Sequence, residues 1–189
     1  MTETRYCLCC GEDVPFSSVE RNERRESICA YCGFTLDVQE LWDTGKTASD
    51  GYAIIADDSQ YTRSIIEGVL KEKNVSSFIR SFENGLMLTT EYSKLLGTKS
   101  TVDIAIIDLN MPVMDGLTAA RTMRELEKQH NAHAVPVVFF SAHKADENLR
   151  KQMEVLKPAF YVNKGSDPDP EKLASRVEYL VGYVIEKFR

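Results

Sequence analysis

Residues Ile106 to Gly116 read IIDLNMPVMDG. An apolar run ends abruptly at Asp108, and Asn110, Met111 and Pro112 follow it. An aspartate that merely closes a strand is a solvated cap. An aspartate held at a strand end for its chemistry needs company from other strand ends. The choice between the two depends on what the rest of the chain places at the same edge.

Outward from this stretch, the chain alternates between two periods. YAIIA is a short buried strand that ends at Asp57 and Asp58. SQYTRSIIEGVLKEK follows, with Ile65, Ile66, Val69 and Leu70 on one helical face. VSSFIRSF reads as a strand and LMLTTEYSKLL as a helix. VDIAIID is the buried strand that ends at Asp108. Leu117 to Gln129 is an amphipathic helix with Asp115 and Gly116 as its turn and start, so Asp115 receives no chemical role. Met111 and Pro112 shape the loop. VPVVFFS ends at Ser141, a polar helix spans Ala145 to Met153, and AFYVNK ends at Lys164. Asp169 caps the final helix with Pro170 at its first position, and Leu173, Val177, Leu180, Val181 and Val184 form its apolar stripe.

Strands alternating with helices imply right-handed crossovers and a parallel sheet covered on both faces. Ligands of such sheets bind beyond the carboxyl ends of the strands. Asp57, Asp58, Asp108, Ser141 and Lys164 each stand at such an end. Three crowded carboxylates call for a cation, and oxygen ligands in a shallow site suit Mg²⁺. A carboxylate beside Mg²⁺ can attack phosphorus, while Lys164 and the Ser141 hydroxyl meet the phosphoryl oxygens. The small Ala142 leaves an approach for the donor.

Asp57-Asp58, DLNMPVMDG, FFSA and YVNK, in this order, resemble the receiver domain of two-component response regulators. The resemblance implies a flavodoxin-like α/β fold with strand order 2-1-3-4-5. It implies Asp108 as phosphoacceptor, and Asp58, Asp108 and the backbone carbonyl of Asn110 as Mg²⁺ ligands, with Asp57 binding through water. Ser141 is then the switch hydroxyl, Lys164 the phosphate-pairing lysine, and Tyr161 the aromatic that turns inward. The family usually has proline after the lysine; here Gly165 follows, so a trans, mobile loop or one held by other contacts is expected.

The first 50 residues differ in kind. All five cysteines lie there, and acidic side chains outnumber basic ones by 10 to 5. Cys7 and Cys10 form one C-x2-C pair and Cys29 and Cys32 another, with 18 residues between. This is the spacing of a four-cysteine zinc site, with zinc ahead of iron. Gly11 and Gly33 follow the pairs and permit positive φ, so N–H groups can point at the sulfurs. Cys9 is read as a non-ligand. The pairs resemble a zinc ribbon over residues 1–36, with a linker at 37–50 and the receiver at 51–189. Val38, Leu41 and Trp42 suggest a short helix in the linker. Arg21, Arg24 and Arg25, interleaved with Glu20, Glu23 and Glu26, are read as a solvated charged face.

The net charge of −6 argues against a nucleic-acid or membrane surface. No spanning segment or leader is read, so a cytoplasmic protein is expected, with no output domain after the last helix. The expected function is a phosphorylation-controlled switch fed by a histidine kinase or phosphotransfer protein. It signals to an output protein through the surface of the second domain's fourth helix, fifth strand and fifth helix, or through the ribbon; a homodimer through the last helix is a further option. Beyond its own phosphorylation and dephosphorylation, no enzyme activity is expected. The rivals are a DNA-binding regulator using the ribbon and a phosphatase with an aspartyl-phosphate intermediate. The phosphatase needs an acid two residues after the nucleophile, where Asn110 stands. His130, His133 and His143 show no metal spacing, and His143 is expected at the surface.

Overall fold

A computed structural model of the chain describes residues 3–7, 10–21, 24–31, 36, 49–142, 145–165 and 169–188. It opens with strands β1 (Thr4–Cys7), β2 (Glu12–Arg21) and β3 (Arg24–Cys29), paired antiparallel in that order. Arg21 pairs with Arg24 and Glu20 with Arg25, so the charged residues on either side of the connection lie on β2 and β3. The core of this sheet is small: Cys7, Cys10, Val14 and Cys29, with Leu36 against them.

The larger unit follows as β4 (Ser49–Ala56), α1 (Gln60–Glu72), β5 (Ser76–Phe82), α2 (Gly85–Gly97), β6 (Val102–Ile107), α3 (Gly116–His130), β7 (Val137–Ser141), α4 (Glu147–Glu154), β8 (Ala159–Asn163) and α5 (Pro170–Phe188). Its five parallel strands run β5-β4-β6-β7-β8, the order 2-1-3-4-5 expected of this sequence. Alternate residues of each inner strand feed opposite faces. Ile54, Ala56, Ala105, Ile107 and Phe139 pack under α2 and α3 with Leu88, Tyr92 and Met123. Ala53, Ile55, Ile104, Ile106, Val138 and Phe140 pack under α1 and α5 with Ile66, Leu70, Val177 and Leu180.

Local chemistry sets the helix starts. Ser59, Asn84, Asp115 and Asp146 each accept an N–H of the first turn, and Asp169 Oδ1 accepts from Glu171 N at 3.0 Å. Among the described residues, no helix is long and apolar enough to cross a membrane.

The two units touch. Arg150 of α4 donates to the Tyr31 carbonyl at 2.9 Å, and Arg176 of α5 donates to the Tyr6 hydroxyl at 3.0 Å. Gly11 lies against the Asn163 side chain at the end of β8, with a φ of +72° that suits glycine. Val38, Leu41, Trp42 and the helix expected around them lie outside the described residues, as do Cys9, Cys32, Gly33 and His143.

Candidate phosphoacceptor site

The sheet itself carries the polar residues to one edge. Asp57 N donates to the Phe82 carbonyl at 3.1 Å, Asp108 N to the Ala56 carbonyl at 2.8 Å, and Lys164 N to the Ser141 carbonyl at 2.8 Å. Each residue is thus the last rung of a ladder, with its backbone fixed by a neighbouring strand. Behind Asp108 the approach is closer still. A Cβ on Gly116 would collide with the Asp108 carbonyl oxygen, so only glycine lets α3 start there.

The side chains gather as the sequence suggests. Asp57, Asp58 and Asp108 each offer a carboxylate oxygen, all within 4.8 Å of one another. Lys164 Nζ donates to Asp108 Oδ2 at 2.6 Å and lies 2.6 Å from Asp57 Oδ2. The second contact is an ion pair, so one ammonium serves both carboxylates. Asp57 is 1% exposed. Its burial raises its pKa more than the Lys164 charge lowers it, and Asp108 adds a further upward push. Its other oxygen, Oδ1, accepts from Ser59 N at 2.9 Å.

Three carboxylates gathered around a single ammonium, with the pKa of Asp57 raised, fit a hard divalent cation. Ser141 Oγ is also buried and has no hydrogen-bond partner among the described residues. Tyr161 is buried, with its hydroxyl 3.5 Å from the Ser141 carbonyl. Asn110 N donates to Asp108 Oδ1 at 3.3 Å. Asp115 serves as the cap of α3, accepting from Thr118 N and Oγ1 at 2.9 and 2.7 Å, with no part in the acidic cluster.

The sequence reading missed Arg176. It is 8% exposed, on the face of α5 that carries Leu173, Val177 and Leu180. Its Nη1 donates to the Lys164 carbonyl and its Nη2 to Tyr6. A basic residue inside an apolar stripe is the signal that could have found it. The Lys164–Gly165 bond is trans, and Gly165 has a φ of +78°. Arg176 Nη1 donates to the Lys164 carbonyl just before Gly165, while residues 166–168 lie outside the described residues.

In the N-terminal unit, Cys7, Cys10 and Cys29 bring their sulfurs within 4.8 Å of one another. Cys10 and Cys29 Sγ stand 3.8 Å apart, too far for a disulfide at ~2.05 Å. Cys10 N and Tyr31 N donate to Cys7 Sγ and Cys29 Sγ at 3.4 and 3.3 Å.

Comparison with known proteins agrees with the larger unit. A protein-glutamate methylesterase/protein-glutamine glutaminase of Methanosarcina acetivorans is 33% identical over 103 residues, covering 54% of this chain and 26% of that protein. The chain thus spans only about a quarter of the methylesterase's length. The chemotaxis protein CheY of Bacillus subtilis is 29% identical over 76 residues, covering 40% of this chain and 58% of CheY. The receiver domain of the Arabidopsis thaliana histidine kinase CKI1, solved with Mg²⁺ and BeF3⁻, superposes with a TM-score of 0.60. It is 19% identical and covers 74% of this chain and 89% of that one. The family model described as the response regulator receiver domain matches residues 53–178. With the strand order, the acid cluster and this match in hand, the chain belongs to the response regulator receiver family.

Proposed function

We propose that the chain is a phosphorylation-controlled switch in which Asp108 accepts a phosphoryl group from a phosphohistidine of a kinase or phosphotransfer protein. The observation that carries this reading is Lys164 Nζ at 2.6 Å from Asp108, beside two further acids and an unpartnered Ser141 hydroxyl. In the transfer an Asp108 oxygen forms the new bond to phosphorus. The bond from phosphorus to the donor imidazole nitrogen breaks, and its electron pair stays with the imidazole. Asp57, Asp58, Asp108 and the Asn110 carbonyl would hold Mg²⁺, which when bound offsets charge on the phosphoryl oxygens. Lys164 pairs with one of those oxygens and Ser141 Oγ donates to another, which gives its buried hydroxyl an acceptor. The phosphoryl group carries about −1.5 to −2 charges. Tyr161, already next to the Ser141 backbone, reads the shift and passes it to the surface of α4, β8 and α5. The output is contact with another protein through that surface or the N-terminal unit, in the cytoplasm.

The N-terminal unit is read as a zinc ribbon with Cys32 as the fourth ligand. Two thiolates on one tetrahedral ion at ~2.3 Å stand about 3.8 Å apart, and Cys10 and Cys29 have that separation.

The test is labelling by acetyl phosphate with Mg²⁺, read by intact mass. One phosphoryl group is expected on the native chain and none on Asp108→Asn. Equal labelling of both would defeat the assignment.

A further inference from the structure

The end of β8 differs from what the family resemblance leads one to expect, and the difference has a structural cause. Gly165 sits at φ +78°, and a Cβ there would run into the Arg176 guanidinium. The absence of a side chain at 165 leaves room for the Arg176 guanidinium beside it. One arm of its fork donates to the carbonyl of Lys164, the residue whose ammonium bridges Asp108 and Asp57. The other arm donates to Tyr6 on β1, with the guanidinium carbon 5.9 Å from the tyrosine ring centroid. Among the described residues these are the polar partners of a side chain that is 8% exposed. Two more contacts seat the N-terminal unit on the same surface: Arg150 of α4 with Tyr31, and Asn163 with Gly11.

We infer that Arg176 is a positioning residue for the phosphate-pairing lysine, and that Tyr6 of the cysteine-bearing sheet anchors it. The N-terminal unit is thereby part of the apparatus that holds Lys164 over Asp108. This rests on the phosphoacceptor reading of Asp108. A lysine ammonium on a flexible stem positions charge only as well as its backbone is fixed. Here the residue that follows Lys164 is Gly165, which does not stiffen the backbone as proline would. A planar fork that grips the Lys164 carbonyl supplies the stiffness, provided its own orientation is fixed at the other arm. Tyr6 fixes it. Linkage makes the effect reciprocal: if docking of β1 favours the competent position of Lys164, an occupied phosphoryl site favours docking of β1.

The experiment uses the full chain as native protein, Tyr6→Phe and Arg176→Lys, with Asp108→Asn as reference. Arg176→Lys keeps the charge and loses the fork. Labelling by acetyl phosphate is followed by intact mass, and amide hydrogen exchange is measured with and without beryllofluoride and Mg²⁺. Labelling of Tyr6→Phe is expected to slow about five-fold, the scale of one ordinary intramolecular hydrogen bond; Arg176→Lys should slow at least as much. Beryllofluoride should increase protection of Arg5, Tyr6 and Cys7 in the native chain, and this gain should vanish in both variants. A purely structural role for Tyr6 would not make β1 respond to a ligand at Asp108. Native labelling rates in both variants overturn the inference and leave Asp108 as phosphoacceptor. Unchanged β1 protection in the native chain overturns it as well, even if a variant folds poorly. Absence of labelling in the native chain overturns the phosphoacceptor reading, and the inference falls with it.

Discussion

Asp57 and Asp108 share one cation: Lys164 Nζ lies 2.6 Å from a carboxylate oxygen of each. One ammonium cannot fully offset two buried acids, and the shortfall appears in Asp57, whose pKa burial raises above 3.8. A raised carboxylate pKa means the folded state binds more protons than the unfolded state between 3.8 and the folded value. Stability therefore falls as pH rises through that window. Mg²⁺ should offset the loss. Added Mg²⁺ is expected to raise the melting temperature at pH 7, and Asp57→Asn to raise it without Mg²⁺ while abolishing most of the Mg²⁺ effect. Thermal melts at pH 7 check this; an Asp57→Asn chain that melts lower than native without Mg²⁺ would contradict it.

A second buried pair holds α3 to the sheet. Arg124 donates from Nη1 to both oxygens of Glu127 at 2.8 Å, from Nε to the Leu156 carbonyl and from Nη2 to the carbonyls of Val135 and Pro158. Glu127 also accepts from Tyr92 and Val135 N. Burial first, then the Glu127 charge, pushes the Tyr92 phenol pKa up. Arg124→Met should cost about 3–5 kcal/mol by stranding Glu127 in the interior. Arg124→Met with Glu127→Leu should recover part of that loss. Urea unfolding of the two variants measures the difference.

Asp115 predicts an acid-side signature. Burial raises its pKa, but the Thr118 N–H and hydroxyl outweigh this and the net shift is downward from 3.8. Its stabilising effect is therefore complete above 3.8 and lost as pH falls through the lower folded value. Asp115→Ala should cost about 1 kcal/mol at pH 7, and less than that at the acid end. Labelling at Asp108 should persist in this variant, because Asp115 stays out of the acid cluster. Denaturation across pH tests the first point and intact mass the second.

Glycine at 165 is a further checkable point. Gly165→Ala should cost about 1–2 kcal/mol for the left-handed backbone, and more because its Cβ displaces the Arg176 guanidinium. Gly165→Pro should do worse, since proline fixes φ near −65° and the position needs +78°. Melting curves for both variants decide it; a Gly165→Pro chain as stable as native would show that the loop adopts a different form.

Metal analysis of the chain purified without added metal should find one zinc per molecule. Cys7→Ser should lose it. A strong chelator should unprotect the β1–β3 amides and leave the five-stranded sheet protected, because the small sheet has little apolar core of its own. Native protein that holds no zinc yet keeps those strands protected would exclude the ribbon.

Most of the larger unit was legible in the sequence because period and chemistry agree there. VDIAIID and VPVVFFS are buried on both faces and read as strands, and their last residues reach the site edge. The placement of Asp57, Asp108, Ser141 and Lys164 at the strand ends was legible for the same reason. What escaped notice lies between the units. Tyr6 and Arg176 are 170 positions apart, and no local pattern links a tyrosine on a short strand to an arginine on the last helix. The three strands of the small sheet were also missed. Its apolar residues are few, and cysteines take the place that alternation fills elsewhere, so the period-two signal is weak.

The seating of the small sheet on α4, β8 and α5 has a consequence for any outside protein. That surface already has an occupant on the same chain, and a tethered occupant competes at an effective concentration of about millimolar when its linker is short. A visitor that needed this surface would have to evict the resident first, and its apparent affinity would shrink by the fraction of time the surface stands vacant. Among the described residues, the outward side of β1, β2 and β3 faces no such rival.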